Sequence, residues 1–188
     1  KDGGVWLSIP VHSKGRYLQR IDETIISDPR WAIRHWDTIR GSYARAPFFE
    51  TYAPVFEPLY RNPVSERLSD VNHAFITAIC RSLGIVVPIS WSSDFSTRDG
   101  RNERLIDICS ACGATDYLSG PRAGAYLDEA AFQAAGITVH FADYSGYPEY
   151  DQPHPPFDHA ASVLDLLFSV GPKAIEYMKD VCPIPSTP

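Results

Sequence analysis

The sequence predicts an α/β fold: a single domain over residues 1–188, with a mainly parallel sheet flanked by helices and, ahead of it, an N-terminal antiparallel strand pair and a helical segment. Three observations carry this. From Ile85 to Asp143 short apolar runs alternate with helical patterns, and strand-helix-strand-helix-strand with short connections requires parallel pairing through crossovers. Within that region Asp116–Phe132 (DYLSGPRAGAYLDEAAF) reads as an apolar run, a loop with two glycines and an arginine, and a helix start. Finally, hydrophobic residues make up 44% and charged residues 21% of the chain, the balance of a soluble globular domain.

Val5–Val11 and Leu18–Ile26 read as strands, and His12–Gly15 between them as the turn of an antiparallel pair. Asp28-Pro29 opens a helix, an N-cap residue followed by proline in the first turn. Ala32, Ile33, Trp36, Ile39 and Tyr43 fall on one helical stripe, flanked by Arg34, His35 and Arg40. The next segment, FFETYAPVFEPLYRN, keeps helical period with aromatics at Phe48, Phe49, Tyr52, Phe56 and Tyr60. Its Pro54 and Pro58 predict a kink or a split. Ser69 reads as the cap of a helix whose buried face is Val71, Phe75, Ile79 and Leu83 and which Gly84 ends.

The regular part follows: a strand at Ile85–Trp91, a helix at Arg101–Cys112, a strand at Ala114–Leu118, a helix at Asp128–Ala135 and a strand at Ile137–Asp143. Ligands of such sheets sit beyond the carboxyl ends of the strands. Three polar groups collect there: Ser92-Ser93-Asp94, Ser119-Gly120 and Asp143-Tyr144. The loop Ser145–Ala160 is rich in Pro, His and Tyr and reads as a substrate-covering loop. Ser162 and Asp165 have capping-box spacing for the helix ASVLDLLFSVG, and a short helix is expected from Pro172, with a poorly ordered tail from Cys182.

The net charge of −6 argues against a general binder of nucleic-acid duplex or anionic membrane. Cys109-x-x-Cys112 lies near a helix C-terminus, where the dipole opposes a thiolate, so it reads as two small buried side chains. His154, Asp158 and His159 match no metal-ligand spacing; no metal and no cofactor are expected. With no signal peptide and no transmembrane run, a cytoplasmic protein is expected. Gly120-x-x-x-Gly124 is neither a dinucleotide fingerprint nor a P-loop. Still, a strand, a glycine loop and a helix N-terminus in that order suit an anionic group.

The segments Asp28–Tyr52, Arg67–Ile76, Asn102–Tyr144 and Phe157–Pro172 together resemble the WbqC-like family, in the family's order and over nearly the whole chain. The chain departs from it at FDHAAS, where relatives more often read Asn-Leu-Ser. Family members usually carry a further N-terminal portion with a QP-x-x-x-PW-type motif. That motif is absent here and the chain starts without Met, so the resemblance implies a chain that begins within a longer protein. The resemblance also implies surface-polysaccharide biosynthesis, and transfer of glycine or a similar acyl group to the amine of an amino sugar. The partner expected is then a small-molecule substrate such as a sugar nucleotide, with the acyl or aminoacyl donor unknown.

Such a transfer needs an anion cradle, a base for the amine and donors for the oxyanion. The catalytic candidates are His35 or His73 as the base and Ser119 as a nucleophile, although Gly-x-Ser-x-Gly is absent around Ser119. The substrate-binding candidates are Gly120, Arg122 and Gly124 in the loop, Tyr126 and Tyr144 for the sugar, and Asp94 and Arg104 behind them. The alternative is a non-catalytic ligand-binding or assembly subunit of a biosynthetic complex. A nucleotidyl-transfer enzyme rests on fold analogy alone.

Overall fold

The computed structural model describes residues 3–178, and by its internal packing the chain forms two compact units. The first comprises the N-terminal part through Val86 and the stretch Pro148–Met178; the second comprises Val87–Tyr147. Helix is the main element, with a small sheet of two parallel strands.

The first unit is built of helices α1 (Trp31–Tyr43), α2 (Phe49–Arg61), α3 (Leu68–Ser82) and α6 (Val163–Val170). The α1 stripe turns Trp31, Ala32, Trp36 and Ile39 inward. Trp36 stacks on Phe49 and Tyr60 at 6.0 and 5.6 Å, and its indole N–H donates to Glu57 Oε1 at 2.9 Å, so the buried ring leaves no polar atom unpaired. Phe56, Leu167 and Phe168 complete the core. Both prolines of α2 are exposed, and the helix runs through them instead of splitting. The carbonyls they orphan belong to Glu50 and Pro54, both exposed residues. Ser69 lies inside α3, one residue past its start, and is not the cap.

The N-terminal strand pair is not formed. A single antiparallel bridge joins Val11 to Ile26, held by His12 N to Ile25 O at 3.0 Å and Ser27 N to Pro10 O at 2.9 Å. Two local features stop it from growing. Pro10 has no N–H to give. Arg20 ties its own neighbours Asp22 and Glu23 into a 3-10 turn at Ile21–Glu23.

The second unit holds α4 (Arg101–Ala111), β1 (Asp116–Ser119), α5 (Glu129–Ala134) and β2 (Thr138–Phe141). The strands pair in parallel, with Leu118 opposite His140 and Ser119 opposite Phe141. Asp128 caps α5 by accepting from Ala131 N, and Gly113 and Gly136 close their helices at φ +66° and +77°. Ile106, Cys109, Phe132 and Ile137 form the core, with Tyr117 stacked on Phe132 at 5.3 Å. The expected third strand, Ile85–Trp91, has no regular secondary structure and no strand partner, and the division between the units falls within it. Pro88 lacks the N–H that a central strand must donate, and Val86 is 95% exposed. The predicted parallel sheet is therefore present only as the β1–β2 pair. Ser92–Asp94 is a 3-10 turn in which Asp94 accepts from Trp91 N, not the end of a strand.

Of the two cysteines read as buried, Cys109 is; Cys112, just past the end of α4, is exposed. Asp165 does not cap α6; it is buried and accepts from Tyr150. A 3-10 turn at Gly171–Tyr177 follows α6, and the remainder of the helix expected from Pro172, with the tail from Cys182, lies outside the described residues.

Candidate functional site

The parallel register joins two residues that sequence spacing leaves 24 positions apart. His140 Nε2 lies 2.7 Å from Asp116 Oδ1. Thr115 Oγ1 donates to the other oxygen of the same carboxylate at 2.8 Å. These bonds, His140 first, hold the Asp116 carboxyl below the usual aspartate range. The carboxylate can only accept, so Nε2–H is given to it, and in the neutral imidazole Nδ1 is the acceptor. A carboxylate that fixes the tautomer and orientation of an imidazole is the arrangement of a proton-transfer pair. Strand alternation sets Asp116, Leu118, Thr138 and His140 on one face of the sheet, while Tyr117 and Val139 turn toward the Phe132 core. The outer face is open: Leu118 is 41% exposed, and the His140 and Asp116 side chains 20% and 32%.

The predicted site residues divide between the units. His35 and His73 belong to the first, and the other eight to the second. His35 is a core histidine: it packs edge-on against Trp31 at 5.1 Å, its Nε2 meets the Ser8 carbonyl at 3.1 Å, and burial lowers its pKa. His73 is half-buried on α3. Ser119 ends β1 on the face opposite His140. Gly120 and Tyr144 come together where both strands end, since a Cβ at Gly120 would lie 3.8 Å from the Tyr144 hydroxyl. Gly124 backs onto Phe141. Arg122 is exposed on the short 3-10 turn Pro121–Ala125, and Arg104 is exposed on α4. Tyr126 is occupied by the Arg101 guanidinium, 4.6 Å over its ring. The helix that was to present its N–H groups, α5, is six residues long and opens with Asp128 and Glu129, whose charges disfavour an anion there.

The first unit carries a cleft of about 900 Å³ between the end of α1, the α1–α2 turn and residues 151–154. Asp37, Arg40, Arg45, Asp151, Gln152 and His154 line it. His154 Nε2–H donates to the Ser42 carbonyl at 3.0 Å. Among the described residues no group of three or more His, Cys, Asp or Glu is placed to hold a metal ion, and no helix is long and apolar enough to cross a membrane.

The sequence model of the WbqC-like protein family matches residues 1–177. The chain belongs to the WbqC-like family. It is 40% identical over 174 residues to an uncharacterised protein of Mycobacterium tuberculosis, Rv1507c, an alignment covering 93% of this chain and 75% of that one. No solved structure matches. The family match spans both units of the WbqC-like chain, including the β1–β2 pair that carries Asp116 and His140.

Asp116 and His140 were not singled out from the sequence. Both stood in the predicted strands, but only the register Leu118 to His140 turns them to the same face.

Proposed function

We propose that this WbqC-like protein transfers an acyl or aminoacyl group, of the glycyl type, to the amine of an amino-sugar nucleotide in surface-polysaccharide biosynthesis. The reaction class is what the resemblance to the family implies, and the Asp116–His140 pair on the sheet face is the observation that supports the chemistry.

The amine nitrogen attacks the carbonyl carbon of an ester or thioester donor. The C–N bond forms and the carbonyl π electrons move to oxygen. His140 Nδ1 takes the proton that the nitrogen must lose, and Asp116 stabilises the resulting imidazolium. Collapse of the oxyanion breaks the bond to the leaving group, which takes the proton from His140. No covalent acyl-serine is needed, and Ser119, on the opposite face, is not the base's partner. Gly120, Arg122 and Tyr144 are assigned to polar groups of the substrates at the strand ends.

The test is to incubate the protein with amino-sugar nucleotides and a panel of acyl and aminoacyl thioesters and esters, and to follow the sugar nucleotide by mass spectrometry. The expected product carries the acyl group on nitrogen. An unchanged sugar nucleotide with every donor overturns the transfer. The second reading, an assembly subunit, is favoured by one observation: Tyr17, Leu18 and Ile21 are 100%, 94% and 80% exposed on the N-terminal segment.

A further inference from the structure

The parallel ladder runs one residue past the strands, since Ala142 N donates to Ser119 O at 2.8 Å. Gly120 continues β1 in extended conformation, at φ −69° and ψ 154°. Alternation therefore puts it on the outer face, next along β1 after Asp116 and Leu118. A Cβ built on Gly120 would lie 3.8 Å from the Tyr144 hydroxyl and would touch nothing else beyond its chain neighbours. The phenol of Tyr144 thus stands at the end of the face that carries His140, with a residue lacking a side chain between them.

The fold does not require glycine at position 120. Its backbone angles are ones that any residue adopts, and a Cβ would make only ordinary contact with the phenol. What the glycine leaves is room between the Tyr144 hydroxyl and the Leu118–His140 pair. Gly120 is two residues along the strand from Leu118, a rise of about 7 Å. A base, an attacking nitrogen, a carbonyl carbon, its oxygen and a donor to that oxygen are joined by two hydrogen bonds of about 2.8 Å and two covalent bonds. Along their bent path they span about the same distance. Tyr144 is 61% exposed, so a bound acyl group can reach its hydroxyl.

We infer that Tyr144 is a further catalytic residue, whose phenol donates a hydrogen bond to the oxyanion formed when the amine attacks the acyl carbonyl over Gly120. The carbonyl π electrons move to oxygen as the C–N bond forms, and the O–H of Tyr144 meets the charge that develops there. The phenol keeps its proton throughout. The electrons return when the bond to the leaving group breaks, and that group departs with the proton from His140. A side chain at position 120 would fill the space in which the carbonyl must lie. The assignment rests on the acyl-transfer reading for the reaction, and on the geometry of the strand ends for the residue.

Acyl transfer from a glycyl thioester of a small thiol tests it, with hydroxylamine as acceptor in one series and an amino-sugar nucleotide in the other. Hydroxamate formation needs the base and the oxyanion donor but no sugar site. Tyr144→Phe should lower kcat by about tenfold or more while KM for the thioester holds, because the bond is made only as charge develops. Gly120→Ala should lower kcat by a similar factor. The two changes together should cost little more than the larger one alone, since both act on the same bond. Circular dichroism confirms that each variant is folded. A full rate in either folded variant, a loss confined to KM, or no acyl transfer by the parent protein to hydroxylamine and the amino-sugar nucleotide alike overturns the assignment. Hydroxamate without sugar amide, lost in Tyr144→Phe, supports Tyr144 and refutes the amino-sugar acceptor. Sugar amide formed at full rate by Tyr144→Phe does the reverse, so the two failures are told apart.

Discussion

The phenol of Tyr150 donates to Asp165 Oδ1 at 2.8 Å, and Asp165 is only 4% exposed. One bond therefore joins the loop after Pro148 to the first turn of α6. Burial above all raises the pKa of Tyr150 and so suppresses its ionisation, as it does for Tyr43, which also faces Asp165. Tyr150→Phe removes the donor from a buried carboxylate and should cost about 1–3 kcal/mol in urea unfolding. A loss below about 0.3 kcal/mol would mean that Asp165 finds another donor.

Gly171 closes α6 at φ +63°, and a Cβ there would run into the ring of Phe48. The Phe48 backbone is held in place, its N–H donating to Phe168 O at 2.9 Å, so relief can come only from turning the ring. Gly171→Ala combines left-handed strain with overpacking and should cost about 2–4 kcal/mol. Thermal unfolding of the variant measures it; an unchanged midpoint would show that the turn after α6 relaxes without penalty.

His35 is buried against Trp31, and its pKa is lowered chiefly by that burial. The folded state then binds fewer protons than the unfolded state just below the ordinary histidine value of about 6.5. Stability from His35 is complete above that pH and is lost progressively as pH falls through the lowered value. The unfolding midpoint should drop from pH 7 to pH 5, and His35→Gln should flatten the drop. Equal slopes in both proteins would assign the acid sensitivity to other groups.

Cys112 is exposed and Cys109 is buried, with the Cys109 thiol pushed up first by burial. A thiol reagent on the native protein should show a fast phase that Cys112→Ser removes, and Cys109 should react only after denaturation. Fast native labelling of Cys109 would contradict its place in the core of the second unit.

Helix positions were legible because a stripe such as Trp31, Ala32, Trp36 and Ile39 repeats at 3.6 residues whatever packs against it. The β1–α5–β2 order was legible for the same reason, helped by Gly113 and Gly136. Ile85–Trp91 was misread because a short apolar run looks alike in a buried strand and in a connecting segment, and Pro88 carried the decisive signal. The N-terminal pair failed on local chemistry, as Arg20 and its acidic neighbours make a turn where alternation suggested a strand. The Asp116–His140 pair could not be read at all without the register, because a one-residue slip would send the two side chains to opposite faces. The cleft was equally hidden: it joins the end of α1 to residues more than a hundred positions later, as the His154 to Ser42 bond shows.

The rate of amide formation by His140→Gln, compared with the parent on the same amino-sugar nucleotide and acyl donor, tests the proposed chemistry most directly. Glutamine can still bond Asp116 but cannot carry the proton, so the rate should fall by about 10²-fold or more while substrate affinity holds. An undiminished rate in the folded variant would contradict the assignment of His140 as the base.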